Sequence, residues 1–186
     1  MTNLNRLNQI ANFVENRLRT VAAQNPDANH NAEYRWQHTL RVANYGKQIA
    51  TAEGAQVELV VAACLLYDVA SFDPGERIEH GRLGAALARP LLLEWGYTHE
   101  ETENICYSVA SHVDVEQLET LEAKCTSDAD NVDRFGAFRV LLWTAPHMNE
   151  YEKMIEVLCN RQLDLQINFF KALLAEKDLT LLPNLS

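Results

Sequence analysis

Asp68 is the residue that most needs a chemical explanation. It follows the stretch Leu59 to Leu66, in which every residue is apolar, and has no Lys or Arg next to it in sequence. A buried, isolated carboxylate is costly, so Asp68 has to meet a cation, a donor network or water. Upstream, Arg35, His38 and Arg41 are spaced i, i+3 and i+6, which on a helix sets two guanidinium groups about an imidazole on roughly one face. Such a face can hold a metal with a phosphate beside it. Downstream, His80 precedes Gly81, Gly84, Ala85 and Ala86, small residues at a helix opening that would let His80 pack close against another element. Helix openings also favour anions. His112 ends a further helical stretch, and Asp128, Asp130 and Asp133 cluster after it. Acids that must approach Asp68 call for a metal ion. Each feature also has a plain structural account. His38 could be a half-buried histidine bonded to a turn, Arg35 and Arg41 solvated charges, His112 a partner of the helix dipole, and the acids N-terminal caps of the next helix.

The elements that must position these residues read as helices. The chain has 186 residues, 47% of them hydrophobic, with only 7 Gly and 5 Pro, a composition that points to one all-α domain. Leu4, Leu7, Ile10, Ala11, Val14, Leu18 and Val21 recur at helical spacing and stop before Pro26. Asn31 predicts the N-cap of a second helix over 32–53, ending at Gly54. The apolar Leu59 to Leu66 stretch predicts a helix buried all round, at the centre of the fold. A helix from about His80 reaches Trp95 and Gly96 and carries Pro90, which predicts a kink; another runs from Thr98 to Ser111. The acidic stretch Asp114 to Glu122 reads as a solvated face or lid. An apolar helix over Phe138 to Trp143 and a long segment from Asn149 to Glu176 complete the scaffold.

The net charge of -10 argues against a general nucleic-acid or anionic-membrane surface. No apolar run is long enough to span a membrane, and the N-terminus lacks a secretory pattern. Cys64, Cys106, Cys125 and Cys159 show no CxxC spacing and read as free core thiols. A cytoplasmic protein is expected.

Taken in order, Arg-x-x-His-Thr-x-Arg-Val, Ala-Ala-Cys-Leu-Leu-x-Asp, Glu-His-Gly-x-x-Gly-Ala, Ser-x-His and Asp-Ala-Asp-Asn-x-Asp-x-Phe-Gly-Ala resemble the HD-domain superfamily of metal-dependent phosphohydrolases, over about Ala32 to Val140. The resemblance implies an all-α bundle of about six to eight helices as a single domain over 1–186, with the N-terminal and C-terminal helices packed on the motif core. It also implies one or two divalent ions (Mn, Fe, Ni, Mg or Zn) and hydrolysis of a nucleotide or other small phosphate ester or anhydride. Carried over by position, His38, Asp68 and Asp130 are the expected metal ligands. His80 and His112 match histidines that serve a second metal or the substrate phosphate. In the mechanism this implies, Asp68 orients water as general base, Arg35 or Arg41 neutralises charge on the phosphoryl oxygens, and His80 or His112 protonates the leaving oxygen or holds a second ion.

The chain departs from the family pattern at Tyr67, where the histidine of the His-Asp pair should stand. A phenol with pKa near 10 must lose a proton to ligate well, at about 4 kcal/mol at pH 7. Tyr67 is then either a core aromatic, leaving a reduced ligand set, or a tyrosinate ligand. The alternative to an enzyme is an HD-like module that binds a phosphorylated small molecule or a protein partner without turnover. Oligomeric state stays open.

Overall fold

The computed structural model describes residues 3–25, 31–73, 79–112 and 118–134. Among these the protein is all-helical: α1 (Asn3–Gln24), α2 (Ala32–Glu53), α3 (Val57–Leu66), α4 (His80–Glu94), α5 (His99–Ser111) and α6 (Leu121–Arg134). Residues Met1–Asp133 form one compact unit. The expected helix over Phe138 to Trp143, the long segment from Asn149 to Glu176 and Cys159 lie outside the described residues, as do residues 114–117 of the acidic stretch after His112.

Short α3 is the hub, as its composition predicts. Leu59, Val60, Ala62, Ala63, Cys64, Leu65 and Leu66 are all buried, and α3 touches α1, α2, α4 and α5. Each fully buried Val or Leu there contributes about 1.5–3 kcal/mol. Around it, α1 turns in Ile10, Val14 and Leu18, spaced four residues apart on one stripe. The caps form as the sequence implies. The Asn31 side chain accepts from the Tyr34 backbone N–H at 2.8 Å, and Gly54 ends α2 at φ 78°, a left-handed conformation that glycine adopts without steric cost. A reciprocal capping box between Thr98 and Glu101 starts α5. α4 runs through Pro90, which lies on its exposed side.

Of the two readings of Asp128, Asp130 and Asp133, the N-terminal cap does not hold: all three lie inside α6. Their periodicity therefore matters: Asp128 points to the exposed side, while Asp130 and Asp133, three residues apart, are buried on one face.

Close packing of α2 on α3 depends on Gly46. A Cβ added there would stand 2.5 Å from Cys64 Sγ and 3.2 Å from Val60 Cγ1. Gly46→Ala is expected to destabilise the protein by about 1–3 kcal/mol through overpacking, although alanine in an open helix site would add about 1 kcal/mol. In urea unfolding the Gly46→Ala/Cys64→Ala double variant should be more stable than the sum of the two single changes predicts.

Candidate metal centre

The turn that follows α3 presents Asp68. The Tyr67 N–H closes the last α-helical turn on Ala63. Val69, Ser71 and Asp73 then bond to the carbonyls of Leu66, Asp68 and Ala70, a tighter three-residue coil. Arg17 of α1 anchors the end of this coil, with Nη2 2.6 and 2.7 Å from the two Asp73 carboxylate oxygens. Asp68 is thereby held in the interior, 6% exposed. Its Oδ2 accepts from Arg35 Nη1 at 2.5 Å, and its Oδ1 lies 3.2 Å from His80 Nε2. Burial works to raise the Asp68 carboxyl. The Arg35 guanidinium, the His80 hydrogen bond and the fields of His112 and His38 outweigh burial and hold it well below the ordinary carboxylate range.

His80 and His112 meet because α4 opens against the end of α5. At Gly81 an added Cβ would lie 2.9 Å from the Val109 carbonyl oxygen and 3.0 Å from that of Ala110, so only glycine permits this approach. His80 Nε2 is then 3.1 Å from His112 Nε2. His112 Nδ1 donates to the Val109 carbonyl at 2.7 Å, which leaves Nε2 as the nitrogen turned toward Asp68 and His80. Burial lowers the His112 pKa, and the attraction of Asp68 only partly offsets this, so the ring favours its neutral, ligating form.

Asp68, His80 and His112 thus offer one ligand atom each, all within 4.8 Å of one another. Ligand atoms about 2.1 Å from a shared ion stand about 3.0–3.4 Å apart. The 3.1 Å and 3.2 Å separations at His80 match that spacing. One carboxylate with two imidazoles suits Mn, Fe, Ni or Zn, so these residues fit the divalent ion that the resemblance implies.

On the other side of Asp68 the groups are paired differently. His38, 1% exposed, lies 2.6 Å from the Tyr67 hydroxyl through Nε2 and 2.6 Å from Asp133 Oδ2 through Nδ1. The Tyr67 hydroxyl also donates to Asp130 Oδ1 at 3.3 Å. Arg41 grips Asp133 through Nε and Nη2, at 2.7 and 3.0 Å. His38 Nε2 is 3.2 Å from Asp130 Oδ1 and 3.9 Å from Asp68 Oδ2. Burial opposes charge on His38, yet Asp130 and Asp133 outweigh it and raise its pKa. The expected ligands His38, Asp68 and Asp130 are therefore neighbours, with the Tyr67 hydroxyl against His38 and Asp130. Of the two arginines, Arg35 meets Asp68, whereas Arg41 is bound to Asp133. Sequence reasoning counted Asp133 only as a member of the acid cluster and gave it no partner. Its i+3 relation to Asp130 becomes informative once both are known to lie on one helix.

Asp133 yields a pH prediction. Burial raises its carboxyl, but hydrogen bonds from His38 and Arg41 win and bring it to about 2. A depressed carboxyl adds stability above its unfolded value near ~3.9, lost as pH falls through the folded value. A raised histidine adds stability that is complete below ~6.5 and lost as pH rises through its folded pKa. The stability gap between wild type and Asp133→Asn should therefore be widest between about pH 4 and 6.5 and narrow on both sides. Urea unfolding across that pH range measures it.

The HD domain family matches residues 35–134, the stretch that carries all of these groups except Arg17. No curated protein matches the chain. Among solved structures, a predicted HD superfamily hydrolase from an uncultured Thermotogales bacterium is 23% identical over 88% of this chain and 90% of its own, with a TM-score of 0.58. Bacillus subtilis YpgQ in complex with ADP is 19% identical over 95% of this chain and 97% of its own, with a TM-score of 0.59. These likenesses establish the shared fold, and the family match over 35–134 makes the chain a member of the HD domain family.

Proposed function

We propose that this protein is a metal-dependent phosphohydrolase acting on a nucleotide or another small phosphate ester or anhydride in the cytoplasm. The observation that carries the reading is the meeting of Asp68, His80 and His112 beside the Arg35 guanidinium, in a chain of the HD domain family. The ADP complex of YpgQ supports a nucleotide as the class to try first. No helix among the described residues is long and apolar enough to cross a membrane, in keeping with a small soluble substrate.

A divalent ion held by Asp68, His80 and His112 would supply Lewis acidity toward a phosphoryl oxygen and make water more acidic. The protein's own groups do the rest. Asp68, ionised and fixed by Arg35, is the acceptor that can orient an attacking water. Arg35 has five N–H donors; Nη1 is engaged by Asp68, and Nε has no hydrogen-bond partner among the described residues. Its fixed positive charge counters the negative charge that builds on the phosphoryl oxygens. His80, with its side chain 16% exposed, is the more open of the two imidazoles and faces the arriving substrate.

Tyr67 favours one competing reading, a module that binds a nucleotide without turnover. The two part in a phosphate-release screen of nucleoside mono-, di- and triphosphates with Mn. Hydrolysis that stops with chelator, returns with Mn and is abolished by Asp68→Asn is expected, and Arg35→Met should lower kcat/KM by about 100-fold or more. Nucleotide that raises Tm with no phosphate released by any substrate would favour the binding module.

A further inference from the structure

The residues on the His38 side of Asp68 do not present a vacant ligand set. His38 Nε2, the nitrogen nearest Asp68 and Asp130, is already 2.6 Å from the Tyr67 hydroxyl. Asp130 Oδ1 accepts from the same hydroxyl. The Asp68 oxygen on this side, Oδ2, is paired with the Arg35 guanidinium. Thus each of these three atoms is bonded to a group of the protein, and one of those groups is a fixed cation. Tyr67 is fully buried, its ring edge-to-face with that of His112 at 4.9 Å between centroids, so packing holds the hydroxyl against His38. His38 is held from behind as well, by Asp133 and through it by Arg41. On the other side of Asp68, His80 Nε2 lies 3.2 Å from Oδ1 and 3.1 Å from His112 Nε2, and the three groups offer ligand atoms within 4.8 Å of one another.

We propose that the centre holds a single divalent ion, on Asp68, His80 and His112, and that the Tyr67 hydroxyl with Arg35 replaces a metal at the place between His38, Asp68 and Asp130. His38, Asp130 and Asp133 then form a buried polar network that positions Tyr67 and the Asp68 turn and ligates nothing. A phenol O–H bridging an imidazole and a carboxylate makes with two hydrogen bonds the link that a shared ion would make with two coordinate bonds. This proposal rests on the metal-dependent reading above and specifies which residues carry the ion.

Mn binding to the full chain, counted by titration calorimetry and by elemental analysis after gel filtration, tests it without reference to turnover. The wild type should bind one Mn per chain. His38→Gln should still bind one, and His80→Gln should bind none. Tyr67→His, which restores an imidazole where the hydroxyl stands, should raise the count to two. A wild type that binds two ions, or one whose ion survives His80→Gln and is lost with His38→Gln, overturns the proposal and leaves the hydrolase reading intact. A Tyr67→His protein that stays at one ion overturns the role given to the tyrosine. A single Mn that follows the expected pattern, with no phosphate released from any nucleotide, upholds the proposal and removes the hydrolase reading. A wild type that binds no Mn removes both. Should His38→Gln fail to fold, the wild-type count together with His80→Gln and Tyr67→His decides.

Discussion

The two oxygens of Asp68 face different partners, and much of the site follows from that division. A carboxylate taken out of water needs compensation on both lone-pair sides. Here Arg35 of α2 supplies it at Oδ2 and His80 of α4 at Oδ1. The turn after α3 is consequently tied to the helices on either side, and Arg17 of α1 pins its far end through Asp73. Placing one charge in the core thus draws four helices into a common arrangement. Glycine makes the approach feasible: at Gly81 the backbone carbonyls of α5 come so near that a methyl group would meet them, and at Gly84 the Val69 side chain stands 3.2 Å from where a Cβ would be.

About this shared carboxylate lie two clusters with opposite chemical character. Toward His80 and His112, nitrogen and oxygen atoms converge at spacings that suit a common ion, and burial lowers the pKa of the His112 ring. Toward His38, each carboxylate meets a donor among the described residues: Tyr67 for Asp130, His38 and Arg41 for Asp133, Arg35 for Asp68. Networks of this kind are rigid when fully satisfied, because loss of one member leaves another polar group buried alone. Membership of the HD domain family and a phenol at Tyr67 are compatible on these terms. The fold needs something polar to link α2, the α3 turn and α6, and hydrogen bonds provide such a link.

Much of the scaffold was legible in the sequence because its causes are local. The apolar stripe of α1, the Asn31 and Gly54 caps of α2 and the wholly apolar α3 each follow from spacing or composition within one element. The small residues after His80 signalled a close approach, and Gly81 makes it. Whether the acids at Asp128, Asp130 and Asp133 cap a helix or turn inward stayed open, since an acid-rich stretch looks the same before a helix as within one whose polar face is buried by partners distant in sequence.

By itself the sequence determined that the chain is helical, that a carboxylate ends its central helix, and that histidines, arginines and further acids in a familiar order surround it. Only tertiary structure decided which atom of each meets which. The Tyr67 hydroxyl reaches His38 across 29 positions, and Asp133 reaches it across 95. Arg35 and Arg41, equivalent by spacing, take different carboxylates, Asp68 and Asp133. The physical reason is that side-chain type and helical period act over a few residues. The pairing of buried charges depends on how whole helices pack, and that packing is settled by shape and by the cost of leaving any of those charges alone.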